Sequence, residues 1–205
     1  MCPVSGCQNL WSNADRNQIN ILLLGEIGVG KSTWINALAN YLMFATLEEA
    51  EENEMVSLIP TSFTMIDENY ERKEVKIGHD KDECFTEGES ATQHPKTYSF
   101  KTNDESKYLR LIDTPGIGDT RGAEQDKINF QNTLRHIAEL DVLHGICILL
   151  KPNNSRLTVM FNYCIKELMA KLHVDACRNI VFCFTNCRGT FYKPGDTYAP
   201  LKKIM

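Results

Sequence analysis

No stretch of this sequence stays apolar for the roughly 20 residues that a membrane-spanning helix requires, and its N-terminus lacks the basic-then-apolar pattern of a secretory signal. Positive charge is scarce as well: 22 lysines and arginines face 27 aspartates and glutamates, for a formal net charge of −5. That balance leaves no electrostatic case for binding nucleic acid. Internal repeats and low-complexity tracts are missing, which excludes solenoids and compositionally biased linkers. Cysteine is not scarce, with eight residues, but its placement argues against a disulfide framework. Cys147 and Cys183 sit inside apolar runs and Cys164 in a helical pattern, positions that suit small buried hydrophobes. Cys2 and Cys7 are spaced to pair or to bind a metal with a distant partner, but no second Cys/His pair has structural-zinc spacing, so free thiols, a reducing compartment and a cytoplasmic protein are the expectation.

What is present is a chain of 205 residues, 42% hydrophobic and 24% charged, which suits one globular domain with a substantial core. Residues 1–17 show no periodicity and read as a flexible leader to a domain spanning 18–205. Residues 19–24 read as a strand and 31–44 as a helix. The acidic run Glu48, Glu49, Glu51, Glu52, Glu54 reads as a solvated helix extension or loop. Alternation near 58–66 and 74–77 predicts a hairpin, and residues 97–101 and 108–113 an antiparallel pair joined through Asn103-Asp104. Helices are expected over 122–143 and 157–173, and strands buried on both faces over 145–150 and 179–185. This order predicts a three-layer α/β fold with a mostly parallel sheet and ligands at the carboxyl ends of its strands. Residues 45–88 read as an insertion, and 190–205, with Pro194, Gly195 and Pro200, as neither strand nor helix. The domain is therefore expected to lack a last strand and helix.

The chemistry concentrates at Gly25-Glu26-Ile27-Gly28-Val29-Gly30-Lys31-Ser32, a G-x-x-x-x-G-K-[ST] loop placed between a predicted strand and a predicted helix. Glycines allow successive backbone N–H groups to converge on phosphate oxygens, and the helix N-terminus adds positive potential. Glu26, Gly28, Val29, Gly30, Lys31, Ser32 and Thr33 are the expected phosphate contacts, with Lys31 reaching the β/γ-phosphates and the Ser32 hydroxyl a ligand for Mg²⁺. A nucleoside triphosphate is the predicted ligand.

A second motif, Asp113-Thr114-Pro115-Gly116, ends its own strand. Asp113 at that strand end is a candidate Mg²⁺ ligand, and Gly116 lets the backbone approach and report a γ-phosphate. Thr92, in the loop before residues 97–100, is the candidate for a third metal ligand, with Thr61 and Thr64 as rivals. Ile117, next after the motif, has no group to orient a water, so hydrolysis would call on Glu26, Arg121, Arg156 or a residue supplied in trans. After the last predicted strand come Thr185-Asn186-Cys187-Arg188. Thr185 and Asn186 are candidates for the base site, but Arg188 carries only donors.

Together these motifs resemble P-loop GTPases of the septin, immunity-associated and chloroplast-import-receptor group. The likeness rests on the phosphate loop through Thr33, on Asp113-Thr114-Pro115-Gly116 followed by a hydrophobic residue, and on Thr185. Such GTPases bind GTP or GDP with Mg²⁺, hydrolyse slowly and pair through their nucleotide faces. The resemblance thus implies a GTP-binding switch or assembly module, a guanine nucleotide ligand and a homodimer. It further implies catalytic roles for Lys31, Thr92 and Gly116, and a metal held by Ser32, Thr92 and Asp113. Guanine-specific relatives carry Asn/Thr-Lys-x-Asp where this chain has Thr185 to Arg188. The missing carboxylate keeps an ATP-binding P-loop protein as one alternative, and Ile117 keeps a non-catalytic nucleotide-holding module as another.

Overall fold

The computed structural model of this chain describes residues 17–78, 92–102 and 107–203. Seven strands and five α-helices are seen among them: β1 Gln18–Gly25, α1 Lys31–Met43, α2 Leu47–Glu52, β2 Thr61–Ile66, β3 Arg72–Ile77, β4 Lys96–Lys101, β5 Tyr108–Asp113, α3 Ala123–Ala138, β6 Gly145–Leu150, α4 Val159–Lys171, β7 Ile180–Phe184 and α5 Tyr198–Lys202. Five strands form one sheet in the order β4-β5-β1-β6-β7. β1 lies parallel to both β5 and β6, β6 is parallel to β7, and only β4 runs antiparallel.

The continuous apolar runs of β1 and β6 fit this centre, because a parallel strand covered on both faces has no wet side. Successive β1 residues divide between the two covers. Leu22 and Leu24 pack with Phe130 of α3 and with Phe161, Cys164, Ile165 and Leu168 of α4. Leu23 points the other way, onto Ile35 of α1 together with Leu111, Leu149 and Ile59. The result is the predicted three-layer α/β arrangement, with α1 on one face and α3 and α4 on the other. Each fully buried leucine contributes about 1.5–3 kcal/mol.

Between α1 and β4 the chain leaves the main sheet. Asn36 and Asn40, one turn apart on α1, hold the segment that follows α2 by its backbone. The Asn36 Oδ1 accepts from the Leu58 and Ile59 amides at 3.0 Å while its Nδ2 donates to the Ile59 carbonyl at 2.7 Å. Asn40 treats Val56 in the same two-way manner. Beyond this anchor β2 and β3 pair only with each other, as the predicted hairpin. The acidic run includes α2, whose first turn is capped by the Thr46 hydroxyl accepting from the Glu49 amide at 3.2 Å.

Two boundaries differ from expectation. The helix expected to reach residue 143 ends at Ala138, and residues 139–144 turn back to β1, with the His144 amide donating to the Asn20 carbonyl at 2.9 Å. Residues 190–203, expected to be irregular, hold short 3₁₀ turns and the five-residue α5. Pro200 falls within the first turn of α5, where its missing N–H has no intrahelical partner to lose. Leu201, 5% exposed, fastens that helix to the core. No strand follows β7 among the described residues. Asn103-Asp104, Cys2, Cys7 and the leader up to residue 16 lie outside them. Cys147 and Cys164 are buried free thiols, and burial pushes both up to about 12, so they are inert near neutrality. No helix among the described residues is long and apolar enough to cross a membrane.

Candidate functional site

The loops at the carboxyl ends of β1, β5, β6 and β7 meet at one edge of the sheet. The phosphate loop turns sharply out of β1 through two left-handed glycines, Gly28 (φ 68°) and Gly30 (φ 97°). These are conformations that cost an L-residue about 1–2 kcal/mol. Gly30 is the N-cap of α1 and no side chain caps that end, so the first-turn N–H groups face the loop unspent by side chains. Val29 closes the turn with its amide to the Glu26 carbonyl at 3.3 Å and buries its side chain beside Ile35. Ser32 and Thr33 sit in the first turn of α1, Ser32 half-buried and Thr33 exposed.

Lys31 is 7% exposed, and its ammonium donates to the Gly25 carbonyl at 3.1 Å and the Glu26 carbonyl at 3.4 Å. Burial lowers its pKa, against the opposing pull of the nearby Asp113 and Glu26 carboxylates. Asp113, at the end of β5, is 0% exposed. Its Oδ2 accepts from the Thr92 hydroxyl at 2.9 Å, while its Oδ1 is buried with no hydrogen-bond partner. Burial pushes this carboxyl above the usual range, with Lys31 and Thr92 pulling the other way. An orphaned, desolvated carboxylate oxygen facing an anion-binding loop is what a bound cation would complete. The residues therefore fit Mg²⁺, which the Ser32 and Thr92 hydroxyls and Asp113 would hold beside a nucleotide's phosphates. No cluster of three or more His, Cys, Asp or Glu suited to a metal occurs among the described residues, so a purely side-chain metal site of that kind is not an alternative there.

Gly116 lies against the phosphate loop so closely that a Cβ would come within 2.6 Å of Ile27 Cγ1 and 2.9 Å of its Cα. Two backbone bonds join the loops there: the Ile27 amide donates to the Ile117 carbonyl at 2.9 Å, and the Ile117 amide to the Gly25 carbonyl at 3.1 Å. The Ile117 side chain, 5% exposed, turns into the core beside Leu24 and Phe130. Asp126 orders the stretch that follows, accepting from the Gly118 and Asp119 amides at 3.0 and 3.1 Å.

Of the candidates for assisting hydrolysis, Glu26 and Arg121 have other engagements. Glu26 turns its carboxylate to the start of α4, accepting from the Thr158 hydroxyl at 2.7 Å, and Thr158 in turn caps the Phe161 amide at 3.1 Å. Arg121 grips the buried Asp119 through Nε at 2.9 Å and Nη2 at 2.6 Å. Arg156 is exposed. At the end of β7, Thr185 donates its hydroxyl to the Val29 carbonyl at 2.6 Å, so this candidate base residue braces the phosphate loop. Asn186 is exposed and left-handed (φ 55°), and Arg188 is exposed.

The structure thus places Lys31 and Val29 with Thr185 and Gly116 around the phosphate loop, bonds Thr92 to the nearby Asp113, and leaves Asn186, next after Thr185, exposed. Of the rival threonines, Thr61 and Thr64 lie on the separate hairpin. Thr158 and Asp126 were not anticipated. A Thr three residues before an amide it caps is a legible signal, but its bond to Glu26 crosses the fold and has no local signature.

No family model matches the chain, and no curated protein matches its sequence. Solved structures do resemble it. A dimerisation-deficient mutant of Toc33 from Arabidopsis thaliana overlays with a TM-score of 0.52 at 12% identity, over 92% of this chain and 59% of that one. A structure of the chloroplast translocon components atToc33 and psToc159, described with dimerisation important for GTPase activity, gives 0.57 at 13% identity, over 92% and 61%. A septin GTPase domain from Chlamydomonas reinhardtii gives 0.47 at 16% identity, over 88% and 57%. The likeness to the two translocon structures shows the fold alone, a three-layer α/β domain with a mostly parallel sheet. The chain spans about three fifths of the length of those proteins.

Proposed function

We propose that this chain binds a guanine nucleoside triphosphate with Mg²⁺ and hydrolyses it slowly, acting as a nucleotide-dependent switch or assembly module. The observation that carries this reading is the buried Asp113 carboxylate with its free Oδ1, set beside Lys31 and bonded to Thr92 at the mouth of the phosphate loop. The bound metal would supply positive charge to the phosphates. The chain's own part is to cradle them with backbone N–H groups and Lys31, and to let Gly116 register a γ-phosphate.

Slow turnover follows from Ile117, whose side chain is spent in the core and carries no hydrogen-bonding group. A rate on the order of 10⁻⁴–10⁻² s⁻¹ is expected for the isolated chain. By likeness to the translocon proteins, for which dimerisation is linked to GTPase activity, pairing across the nucleotide face would raise that rate. Calorimetry with GTP, with and without Mg²⁺, tests binding. Specific activity across protein concentration tests pairing, and a fast, concentration-independent rate from a monomer would overturn the slow-switch reading. An ATP-binding alternative draws on Arg188 and on Thr185 being occupied by Val29. Displacement of labelled GTP by ATP at equal or lower concentration would favour it.

A further inference from the structure

We propose that Lys151 supplies a second cation to the phosphate-binding loop, and that Thr197 holds it in place. This rests on the triphosphate-binding reading above. Lys151 directly follows β6, the parallel neighbour of β1, so its strand delivers it to the edge where the phosphate loop begins. Its ammonium lies over the loop: a Cβ built on Gly28 would be 3.8 Å from Lys151 Nζ, and beyond Gly28 and its two chain neighbours no other heavy atom comes as near to that position. No residue among the described ones pairs with this ammonium. An exposed lysine would ordinarily extend into water, yet this one stands at a loop whose backbone donors converge on an anion.

The backbone of the turn that carries Lys151 is fixed. Thr197, 0% exposed, donates its hydroxyl to the Lys151 carbonyl at 2.7 Å and accepts from the Asn154 amide at 2.8 Å. One buried hydroxyl thus closes the turn at both ends. The Asn153 amide adds a bond to the Pro194 carbonyl at 3.3 Å, and its Oδ1 accepts from the Asp196 amide at 3.3 Å. Gly195 permits this contact, since a Cβ there would fall 1.9 Å from Asn153 Oδ1. The segment after β7 therefore has a task in the site. It clamps the turn after β6 and so sets where the Lys151 ammonium stands. A point charge recognises phosphate oxygens and not a base edge, so its effect should be independent of the nucleobase.

The test is affinity for GTP, ATP and inorganic tripolyphosphate, measured by competition on the full chain at several salt concentrations. Lys151→Met keeps the aliphatic stem and removes the charge. It should weaken all three ligands by a similar factor of about 10- to 100-fold, the range for losing a charge-assisted hydrogen bond. The salt dependence of binding should become shallower, and Lys151→Arg should recover most of the affinity. Thr197→Val should reproduce a smaller, equally base-independent loss. Wild-type affinity in Lys151→Met, or a loss confined to one nucleobase, overturns the proposal. A wild-type chain that binds neither GTP nor ATP overturns the triphosphate reading itself, a result seen before any variant is made.

Discussion

The two halves of the candidate nucleotide site are built on different terms. On the phosphate side, Lys31, Asp113 and Thr92 are buried, Thr92 bonds to Asp113, and Gly116 packs against Ile27 beside the backbone bonds that join Ile117 to Ile27 and Gly25. On the base side, Asn186 and Arg188 are exposed, the backbone is left-handed, and Thr185 is turned inward to Val29. Phosphate is the same anion whatever the base, so backbone N–H groups and lysine ammonium groups recognise it without regard to the base. A base edge demands a particular acceptor at a particular point. This chain has the residue types that the first kind of recognition needs, and it carries Arg188 where the second calls for a carboxylate.

The contrast can be broken most severely at Lys31. Lys31→Ala removes a buried cation beside the loop and should lower triphosphate affinity by about 10²–10³-fold, the scale of a lost charged hydrogen-bond cluster. Isothermal titration reads it directly, and unchanged affinity would falsify the phosphate-loop assignment. Gly116→Ala strikes the seal between the two loops. With Ile27 backbone atoms within 3.0 Å of the new methyl, the loops must part, at a cost of about 1–3 kcal/mol of folding stability, to be read by denaturant unfolding.

Arg188→Asp sharpens the comparison from the other side. Restoring an acceptor at the base position should raise the preference for GTP over ATP about tenfold, within the range of one hydrogen bond to a charged group, while leaving tripolyphosphate binding unchanged. No change in the GTP-to-ATP ratio would place base reading elsewhere in the fold.

The smallest effect on folding stability is expected at Asp113. Burial raises its folded-state pKa above the unfolded one, so the folded chain resists ionising it. The stability of the metal-free protein is then highest below the usual carboxylate range and falls as pH climbs from that range through the raised value. Asp113→Asn removes this penalty. It should flatten that decline and raise the Tm of the metal-free chain near neutral pH, while removing the Mg²⁺ dependence of triphosphate binding. Thermal melts over a pH series decide it, and a lower Tm for the variant across the series would contradict the assigned burial cost.

Much of this was legible because the strand and loop signals are local. The apolar runs of β1 and β6 read as buried strands, and Gly28 and Gly30 could take left-handed angles without strain. Thr92 was chosen by its place before β4, and the structure puts its hydroxyl on Asp113. The 190–203 segment was misjudged because α5 is held by one buried leucine and by bonds to the turn after β6, neither of which leaves a periodic pattern.

The sequence by itself determined the strands, the phosphate-loop motif and the carboxylate that ends β5, since glycine conformations, hydrophobic periodicity and a lysine at a helix start are properties of neighbouring residues. The tertiary structure alone decided that Glu26 faces Thr158, that Thr185 braces Val29 and that Lys151 stands over Gly28. Each joins residues far apart in the chain through strands that become neighbours only when the sheet forms, and a side chain's partner across such a gap is set by packing that no local pattern encodes.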